Sequence, residues 1–434
     1  MKLVIVGTGY VGLVSGLCFA EFGFQTICVD KDINRINNLK KGLCPFYEPG
    51  LEDLLSKHLN ETKLLSLSSS LSEAMINADI VFITVGTPTK RLEDEADLTF
   101  VYNVASEIAD NIKSYCIVVT KSTVPVGTTS KVKKIILNKV DKILFDVVSN
   151  PEFLREGSAI TDFMRPDRVV IGCDSKKSET MMRELYRPLY LLETPIVSTT
   201  IESAEIIKYA SNSFLATKIA FINEVANLCE AVGANVQDVA KAMGIDKRIG
   251  EKFLHAGPGF GGSCFPKDVK AFVSTAKNFN VDLSIVNSVN KSNQKRPEEI
   301  VKKILKHFNN NIENKTISIL GLSFKPNTDD VRDSTSVIIA KSLHKKKAFI
   351  KAYDPKAMEN AKLILPDINY FNSIQKACID ADAIIIATEW NEFRALNFKL
   401  LKKQMKDHII FDLRNIYNKD DLNNLDFVYY GIGK

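Results

Sequence analysis

The order of hydrophobic and polar positions divides the chain into three stretches. Over roughly the first 190 residues, short apolar runs alternate with helical periodicity, which predicts βαβ units and a mostly parallel sheet. Each predicted strand ends at a turn residue such as Gly, Asp or Pro. Because doubly wound sheets bind ligands at the carboxyl ends of their strands, these turns are where function is expected. The clearest strands are residues 2–7, 25–30, 79–85, 116–122 and 146–150.

The second stretch, from about residue 196 to 300, has longer helical periodicity. Residues 201–233 contain no proline and no glycine before Gly233, which predicts one long central helix. Residues 295–308 predict another helix. The polar run NNNIENK, residues 309–315, has the composition of a domain boundary.

Strand and helix patterns alternate again after residue 315, and the segment ADAIIIATEW (381–390) resembles ADIVFITVGTP (78–88). The pattern therefore predicts an α/β protein with two Rossmann-like doubly wound domains, joined by a central helical region with one long helix. The predicted domains are residues 1–195, 196–308 and 309–434. The predicted strands of the last domain lie in residues 316–324, 348–355, 382–390 and 409–415.

Composition excludes several classes of protein. The chain has 434 residues, of which 45% are hydrophobic and 25% charged, which is typical of a soluble globular protein of about three domains. Its net charge of +5 comes with scattered lysines, which argues against nucleic acid as a partner. No apolar run approaches the roughly 18 residues that span a bilayer, so no membrane partner is expected.

The eight cysteines form no CxxC pair, and the five histidines form no HExxH. We therefore predict no disulfide framework and no metal site, and we expect the chain to work in the cytoplasm. Asp94, Glu95 and Asp97 in the segment KRLEDEADL are typical of a solvated loop and receive no role.

The N-terminal segment VIVGTGYVG carries a dinucleotide-binding signature. Gly7, Gly9 and Gly12 stand in GxGxxG register after a predicted strand, and Asp30 ends the next strand. The first glycine allows a tight turn, the second lets backbone approach a pyrophosphate, and the third lets the helix pack closely on the strand. Asp30 would accept hydrogen bonds from ribose hydroxyls and repel a 2′-phosphate. NAD is therefore favoured over NADP, although Lys31 and Arg35 lie close by.

The segment GPGFGGSCFPKD surrounds one thiol with four glycines, at positions 257, 259, 261 and 262, which would let backbone run close to a ligand. Pro266 pre-sets a first helical turn. Cys264 would then lie at the N-terminal end of a helix, where the helix dipole lowers the pKa of a thiol. With Lys267 and Asp268 on the same turn, the segment predicts an activated nucleophile.

A nucleophilic cysteine has a specific use in an NAD enzyme. Removing one hydride from an alcohol gives an aldehyde and needs no covalent help. Removing a second hydride needs a tetrahedral carbon bearing oxygen, which thiolate addition supplies as a thiohemiacetal. The resulting thioester is hydrolysed to an acid, so the combination predicts oxidation of an alcohol to an acid.

Three other interpretations stay open at this point. In the first, Cys264 is a buried structural residue, as several other cysteines are expected to be. The chain would be a dehydrogenase that carries out a single oxidation, which has no use for the loop around Cys264. In the third, the chain is an NAD-binding redox sensor without turnover, which leaves the second α/β domain unexplained.

Taken together and in order, seven motifs resemble the UDP-glucose/GDP-mannose dehydrogenase family over essentially the whole chain. The motifs are GTGYVG (7–12), the GTP of VGTPT (85–89), STVPVGTT (122–129), NPEFLREG (150–157), the K-x3-N of IIKYASNSF, FGGSCFPKD (260–268) and GLSFKPNTDDVRDS (321–334). The resemblance implies an NAD-binding N-terminal domain, a central domain for dimerisation and catalysis, and a C-terminal domain that binds a UDP-sugar. It places UDP-glucose ahead of GDP-mannose and UDP-N-acetylhexosamines as substrate.

The resemblance also implies a role for each catalytic residue. Cys264 is the nucleophile of the second oxidation. Lys208 and Asn212, one helical turn apart, hold the reacting oxygen, and Lys208 stabilises its negative charge. Asp268 acts through a water as general base, and Thr123 helps hold that water. Glu152 assists thioester hydrolysis.

The remaining implied residues contact the cofactor or the sugar nucleotide. Besides the three glycines, the implied NAD contacts are Val11, Asp30, Arg35, Thr87, Thr123, Glu156, Lys267 and Arg332. The implied substrate contacts are Glu152, Phe153, Leu154, Arg155, Glu156, Lys208, Arg248, Phe253, Leu254, His255, Ala256, Gly257, Gly261 and Lys325. Arg248 resembles an arginine that reaches the partner subunit's substrate, which implies a homodimer built on the central helices.

Overall fold

The computed structural model describes residues 1–90 and 95–434, and these fold into two compact units. The first comprises residues 1–211 and 274–281, and the second comprises residues 212–273 and 282–434. Within the described residues, the first unit has one sheet in the order β3-β2-β1-β4-β5-β6-β7-β8. Neighbouring strands are parallel except the antiparallel pair β6 and β7. The strands are β1 (Lys2–Val6), β2 (Gln25–Val29), β3 (Leu65–Ser68), β4 (Ile80–Ile83), β5 (Cys116–Thr120), β6 (Phe145–Ser149), β7 (Val169–Cys173) and β8 (Ile196–Thr199).

Helices cover both faces of this sheet, because successive side chains of each buried strand point to opposite sides. In β1, Leu3 and Ile5 pack into one hydrophobic cluster, while Val4 and Val6 pack into another. The helices are α1 (Tyr10–Glu21), α2 (Ile33–Lys40), α3 (Leu51–Ser56), α4 (Leu71–Ala74), α5 (Thr99–Asn111), α6 (Thr128–Leu137), α7 (Ala159–Met164) and α8 (Lys176–Leu185).

A long helix, α9 (Ile201–Val232), and α11 (Phe265–Asn278) each supply residues to both units, while α10 (Val236–Ile245) and α12 (Ser284–His307) belong to the second. Within the described residues, the second unit has one parallel sheet in the order β11-β10-β9-β12-β13-β14. Its strands are β9 (Thr316–Leu320), β10 (Phe349–Tyr353), β11 (Asn369–Tyr370), β12 (Ala383–Ile386), β13 (Ile409–Asp412) and β14 (Val428–Tyr430). Its remaining helices are α13 (Thr335–Lys345), α14 (Met358–Lys362), α15 (Ile374–Cys378), α16 (Phe398–Gln404) and α17 (Lys419–Asn423).

The predicted fold class is confirmed, since both sheets are predominantly parallel and doubly wound. The resemblance between residues 78–88 and 381–390 also has a structural basis. Asp79 accepts a hydrogen bond from the backbone N–H of Lys2 at 2.7 Å, and Asp382 accepts one from Thr316 at 2.8 Å. In both units, therefore, an aspartate before one central strand holds the start of its neighbour. The division into three domains stays a prediction.

Several boundaries differ from the predictions. The helix predicted over 295–308 begins eleven residues earlier, at Ser284, and runs through Pro297. Its polar first half is held by tertiary contacts, because the Asn293 side chain makes hydrogen bonds of 2.9 Å to both backbone groups of Phe260. Each of the nine predicted strands ends one to four residues beyond the end of the observed strand. The short strands β3, β7, β8, β11 and β14 were not predicted.

The segment KRLEDEADL is described only in part. Asp94 lies outside the described residues. Lys90 forms an ion pair of 2.8 Å with Glu95, and Asp97 accepts a hydrogen bond of 3.0 Å from the backbone N–H of Thr99. Asp97 thus stabilises the start of α5.

Candidate active site

The turn after β1 has the geometry that a dinucleotide requires. Gly7 has φ +104°, a conformation that favours glycine. At Gly12, an added Cβ would lie 1.8 Å from the Gly7 carbonyl oxygen, so only glycine lets α1 pack this closely on the turn. At Gly9, an added Cβ would meet no atom of the chain within 4 Å. Open space beside Gly9, at the N-terminus of α1, therefore fits the pyrophosphate of NAD.

Asp30 follows β2 beside this turn. Its Oδ2 accepts hydrogen bonds of 2.9 Å from the backbone N–H and the hydroxyl of Thr8, and lies 3.1 Å from Nη1 of Arg35. Burial opposes the charged carboxylate, but these bonds and one from the Asp32 N–H outweigh it, so the pKa of Asp30 is lowered. Arg35 is thus paired with Asp30, and a charged Asp30 favours NAD over a 2′-phosphorylated dinucleotide.

Glu152 and Lys208 form a buried ion pair in the first unit. The Nζ of Lys208 lies 3.0 Å from Oε1 of Glu152, and the two side chains are 4% and 5% exposed respectively. Oε2 of Glu152 accepts a hydrogen bond from the backbone N–H of Leu154, and Nζ of Lys208 lies 5.4 Å from the centre of the Phe153 ring. Since α9 carries the lysine and the loop after β6 carries the glutamate, the pair fixes that loop against the helix.

A second buried lysine lies close to this pair. The Nζ of Lys121 donates to Oδ1 of Asn150 at 3.1 Å and to the hydroxyl of Tyr186 at 3.3 Å. Burial, opposed by the charge of Glu152 and reinforced by that of Lys208, lowers the pKa of Lys121 to about 8. No local pattern around Lys121 marks this residue as part of the charged cluster.

In the second unit, Asp268 receives two polar partners. Its Oδ2 accepts a hydrogen bond of 2.7 Å from Nδ2 of Asn212, and its Oδ1 lies 2.9 Å from Nζ of Lys267. Asp268 is 1% exposed, so these contacts compensate for the burial of its charge. The predicted relationship of Lys267 and Asp268 is thus found, and Asn212 joins them.

Cys264 lies at the N-terminal end of α11, as predicted. Its carbonyl oxygen accepts the backbone N–H of Asp268 at 2.8 Å, and the thiol is partly exposed, with Sγ 3.6 Å from the Ser263 hydroxyl. The Cys264 thiol is therefore at a position where the partial positive charge of a helix N-terminus acts.

Two of the glycines near Cys264 allow close contact between loops of the second unit. An added Cβ at Gly261 would lie 2.4 Å from the Asp333 carbonyl oxygen, and one at Gly262 would lie 2.6 Å from the Phe324 ring. The N–H of Gly262 donates to the carbonyl of Arg332 at 2.9 Å. In the second unit, these two glycines therefore let the thiol loop pack closely on the loop after β9, and the approach of a ligand to this backbone stays a prediction.

Comparisons with known proteins match three segments of the chain to one family. Three models of the UDP-glucose/GDP-mannose dehydrogenase family match: the NAD binding domain at residues 1–190, the central domain at 202–295 and the UDP binding domain at 318–419. The chain belongs to this family.

Individual relatives cover the chain over its full length. The UDP-glucose 6-dehydrogenase of Rhizobium meliloti (strain 1021) is 49% identical over 436 aligned positions, which cover 100% of both chains. Among solved structures, a UDP-glucose dehydrogenase from Pyrobaculum islandicum is 36% identical, with a TM-score of 0.91, and 100% and 97% of the two chains are covered. A UDP-D-ManNAc dehydrogenase from Pyrococcus horikoshii is 27% identical, with a TM-score of 0.87, and 100% and 99% are covered.

Some residues expected from this family are held by neighbours within their own unit. Thr87 donates its hydroxyl proton to the carbonyl of Thr123 at 2.9 Å. Arg155, Arg248 and Arg332 are exposed and form ion pairs with Asp162, Asp246 and Asp330 respectively. The structure therefore does not bring these three arginines to a buried site.

The other expected contacts differ in exposure. Glu156, Leu254, Ala256, Gly257 and Gly261 are buried, Val11, Phe153, Leu154 and Phe253 are partly exposed, and His255 is exposed. Phe253 has φ +68°, and the Nζ of Lys325 lies 5.3 Å from the centre of the Phe324 ring. Their roles toward a sugar nucleotide stay predictions.

Two buried glutamates that connect distant segments near these turns were not predicted from the sequence. Glu205 in α9 accepts backbone N–H groups of Gly127 and Thr129, each at 2.7 Å, at the start of α6. Glu48 contacts Tyr10 and the segment after Glu156. Each connects segments far apart in sequence, so no local pattern marks them.

Residues 1–90 and 95–434 contain neither a candidate metal site nor a helix that could span a membrane. No group of three or more His, Cys, Asp or Glu side chains in that part of the chain could hold a metal ion. Within the same residues, every helix is too short or too polar to cross a bilayer.

Proposed function

We propose that this chain oxidises the C6 hydroxyl of UDP-glucose to a carboxylate and reduces two NAD per substrate. The observation that carries the proposal is the partly exposed Cys264 at the N-terminus of α11, four residues before the buried Asp268. The similarity to the UDP-glucose 6-dehydrogenase of Rhizobium meliloti and the UDP-glucose dehydrogenase of Pyrobaculum islandicum supports the choice of UDP-glucose.

In the first oxidation, the C6 hydroxyl loses a proton and a hydride and becomes an aldehyde. Asp268 takes the proton through a water that Thr123 helps to hold. Asn212 and Lys208 bind the reacting oxygen, and the lysine stabilises its negative charge. NAD, when bound, supplies the hydride acceptor for this and the following oxidation. The turn at Gly7, Gly9 and Gly12 and the carboxylate of Asp30 would hold it.

In the second oxidation, the Cys264 thiolate adds to the aldehyde carbon. A carbon–sulfur bond forms, and the carbonyl oxygen becomes the alkoxide of a thiohemiacetal. Loss of hydride from the same carbon leaves a thioester. The covalent bond thus keeps the aldehyde on the enzyme between the two oxidations.

Hydrolysis then releases the acid. Water adds to the thioester carbonyl, the carbon–sulfur bond breaks, and the sulfur leaves as thiolate. Glu152 accepts a proton from the water, and Lys208 holds the Glu152 carboxylate in position through their contact of 3.0 Å. The buried ion pair therefore has a function in this step beyond holding the loop.

The remaining expected NAD contacts are Val11, Arg35, Thr87, Glu156, Lys267 and Arg332. The sugar nucleotide would be bound by residues 152–156 and 253–257, with Gly261 and Lys325. We further propose that the enzyme works in the cytoplasm as a homodimer in which Arg248 reaches the partner's substrate. An apolar stripe on α9 supports the dimer, since Phe214, Phe221 and Leu228 are 66%, 49% and 62% exposed.

A second candidate is the same chemistry on another nucleotide sugar. The structural similarity to the UDP-D-ManNAc dehydrogenase of Pyrococcus horikoshii favours keeping this candidate. The segment 253–257 would help to choose between sugars, because all five of its residues are expected substrate contacts.

NADH formation tests the proposal directly. With UDP-glucose, GDP-mannose and UDP-N-acetylhexosamines offered separately, we expect two NADH per UDP-glucose consumed and little with the others. Cys264→Ala should keep NAD binding and lose acid formation. One NADH per substrate, or acid formation by Cys264→Ala, would refute the mechanism, and faster turnover of another sugar would change the substrate.

A further inference from the structure

A single buried carboxylate, Glu48, connects two loops of the first unit. Glu48 is 4% exposed. Its Oε2 accepts hydrogen bonds from the Tyr10 hydroxyl and from the backbone N–H of Gly157, the latter at 2.5 Å, and its Oε1 accepts the N–H of Ala159 at 2.8 Å. None of the roles proposed above uses this residue.

One end of the connection is the dinucleotide turn. Tyr10 follows Gly9 and is the first residue of α1. Its ring packs against Phe46 at 4.8 Å between ring centres, and its hydroxyl also accepts the N–H of Gly157 at 3.2 Å. A shift of the turn at Gly9 would therefore move Tyr10 and alter its hydrogen bond to Glu48.

The other end is the segment that carries the proposed hydrolytic residue. Gly157 and Ala159 follow directly after Glu156, and Glu152 lies at the start of the same loop. Gly157 has φ +77°, which few other residues adopt. The two bonds to Glu48 thus hold the C-terminal end of this loop, while the Lys208 pair holds its start.

The three donors suit a carboxylate and no other group. An ionised carboxylate only accepts, and here both oxygens face donors. Burial and the nearby charges of Glu48 and Glu156 raise the pKa of Tyr10, so its hydroxyl keeps its proton and remains a donor. A glutamine at position 48 would turn an NH2 group toward one of these donors.

We propose that Glu48 is a positioning residue that couples the dinucleotide turn to the loop carrying Glu152 and Glu156, and so influences both NAD binding and thioester hydrolysis. The hydrolytic part rests on the function proposed above. The bond to Tyr10 transmits the effect in both directions, since removing the hydroxyl releases one of the contacts that fix the carboxylate.

The test compares Glu48→Gln, Tyr10→Phe and their combination with a control, Glu52→Gln, which changes an exposed carboxylate of α3. For each protein, calorimetry gives the affinity for NAD alone, steady-state assays give kcat, and mass spectrometry of acid-quenched reactions gives the fraction of Cys264 that carries a sugar adduct. Thermal melting reports whether each variant is folded.

We expect Glu48→Gln to weaken NAD binding and to lower kcat, each about tenfold, since a buried charged hydrogen bond is lost. The adduct on Cys264 should accumulate, because hydrolysis slows. Tyr10→Phe should change all three quantities in the same direction by a smaller factor. The double variant should be no worse than Glu48→Gln, because both act through one contact.

The inference is overturned if the two substitutions multiply in the double variant, or if Tyr10→Phe weakens NAD binding and leaves adduct accumulation unchanged. Should Glu48→Gln not fold, Tyr10→Phe still decides, since its ring can stay against Phe46. If the unaltered enzyme forms no adduct and less than two NADH, the proposed function fails, while the NAD affinities still test the coupling at Tyr10.

Discussion

The ammonium group of Lys208 and the carboxylate of Glu152 lie 3.0 Å apart, with almost no exposed surface on either side chain. Their positions in the sequence are 56 residues apart, on α9 and on the loop after β6. Burying two charges is unfavourable unless each compensates the other. Stability therefore depends on this contact, and the catalytic role proposed for the same pair can be separated from it by mutation.

Lys208→Met should leave the Glu152 charge buried without its cation and should reduce the free energy of unfolding by about 3–5 kcal/mol. Adding Glu152→Gln should restore much of this stability, because no unpaired charge remains, while activity stays lost in both variants. Melting curves and NADH assays measure the two effects. As a control, Lys176→Met removes an exposed partner of Glu179 and should cost at most about 1 kcal/mol. Activity recovered in the double variant would remove the pair from the mechanism.

Two glycines of the dinucleotide turn should respond differently to alanine. At Gly12 the added Cβ would overlap backbone, 1.8 Å from the Gly7 oxygen, so Gly12→Ala should lower the melting temperature and abolish NAD binding. At Gly9 it meets no protein atom, so Gly9→Ala should keep the melting temperature and lose NAD affinity by more than about tenfold. Titration with NAD and thermal melting measure both. Unchanged affinity in Gly9→Ala would mean that no pyrophosphate binds beside Gly9.

Features encoded locally were predictable from the sequence. The turn at Gly7, Gly9 and Gly12 needs only a strand, a tight turn and a helix in succession, and Cys264 needs only the helix that follows it. The long helix α9 was predicted to within one residue, because its apolar periodicity has no break before Gly233.

Features that depend on distant partners were not predictable. Glu48 meets its donors across 38, 109 and 111 positions of sequence, and Lys121 meets Tyr186 across 65. The strand β8 is an edge strand with mostly exposed side chains, so it lacks the apolar signal of its neighbours. The close contacts of Gly261 and Gly262 with Asp333 and Phe324 were not predictable either, because these partners lie more than sixty positions away in the sequence.

Glu205 should make stability depend on pH. Burial raises the pKa of Glu205 from 4.5 to about 7, despite the N–H groups of Gly127 and Thr129. Below pH 4.5 both folded and unfolded chains hold the proton. As pH rises toward 7, the unfolded chain releases it first, so the contribution to stability, roughly 3 kcal/mol, is lost through this range.

Glu205→Gln should remove that dependence. The unfolding free energy of the unaltered chain, relative to the variant, should fall by roughly 3 kcal/mol between pH 4.5 and pH 8. Calorimetric melting of both proteins at several pH values measures the difference. Glu224→Gln, which changes an exposed carboxylate farther along α9, should keep the unaltered pH profile. Equal profiles for Glu205→Gln and the unaltered chain would contradict the assignment.

The exposed stripe on α9 makes the proposed homodimer testable. Phe214, Phe221 and Leu228 recur every seven residues, about two helical turns, so their side chains lie along one face. Such spacing is typical of helices that pack against other helices.

Phe221→Glu would place a charge in the middle of this face and should convert the dimer to a monomer in sedimentation experiments. It should also lower activity, because Arg248 would no longer reach a partner's substrate. Leu191→Glu, at a side chain 89% exposed on another surface, should leave the dimer intact. A chain that stays dimeric with Phe221→Glu uses a different surface, since a charge buried between apolar faces would oppose association.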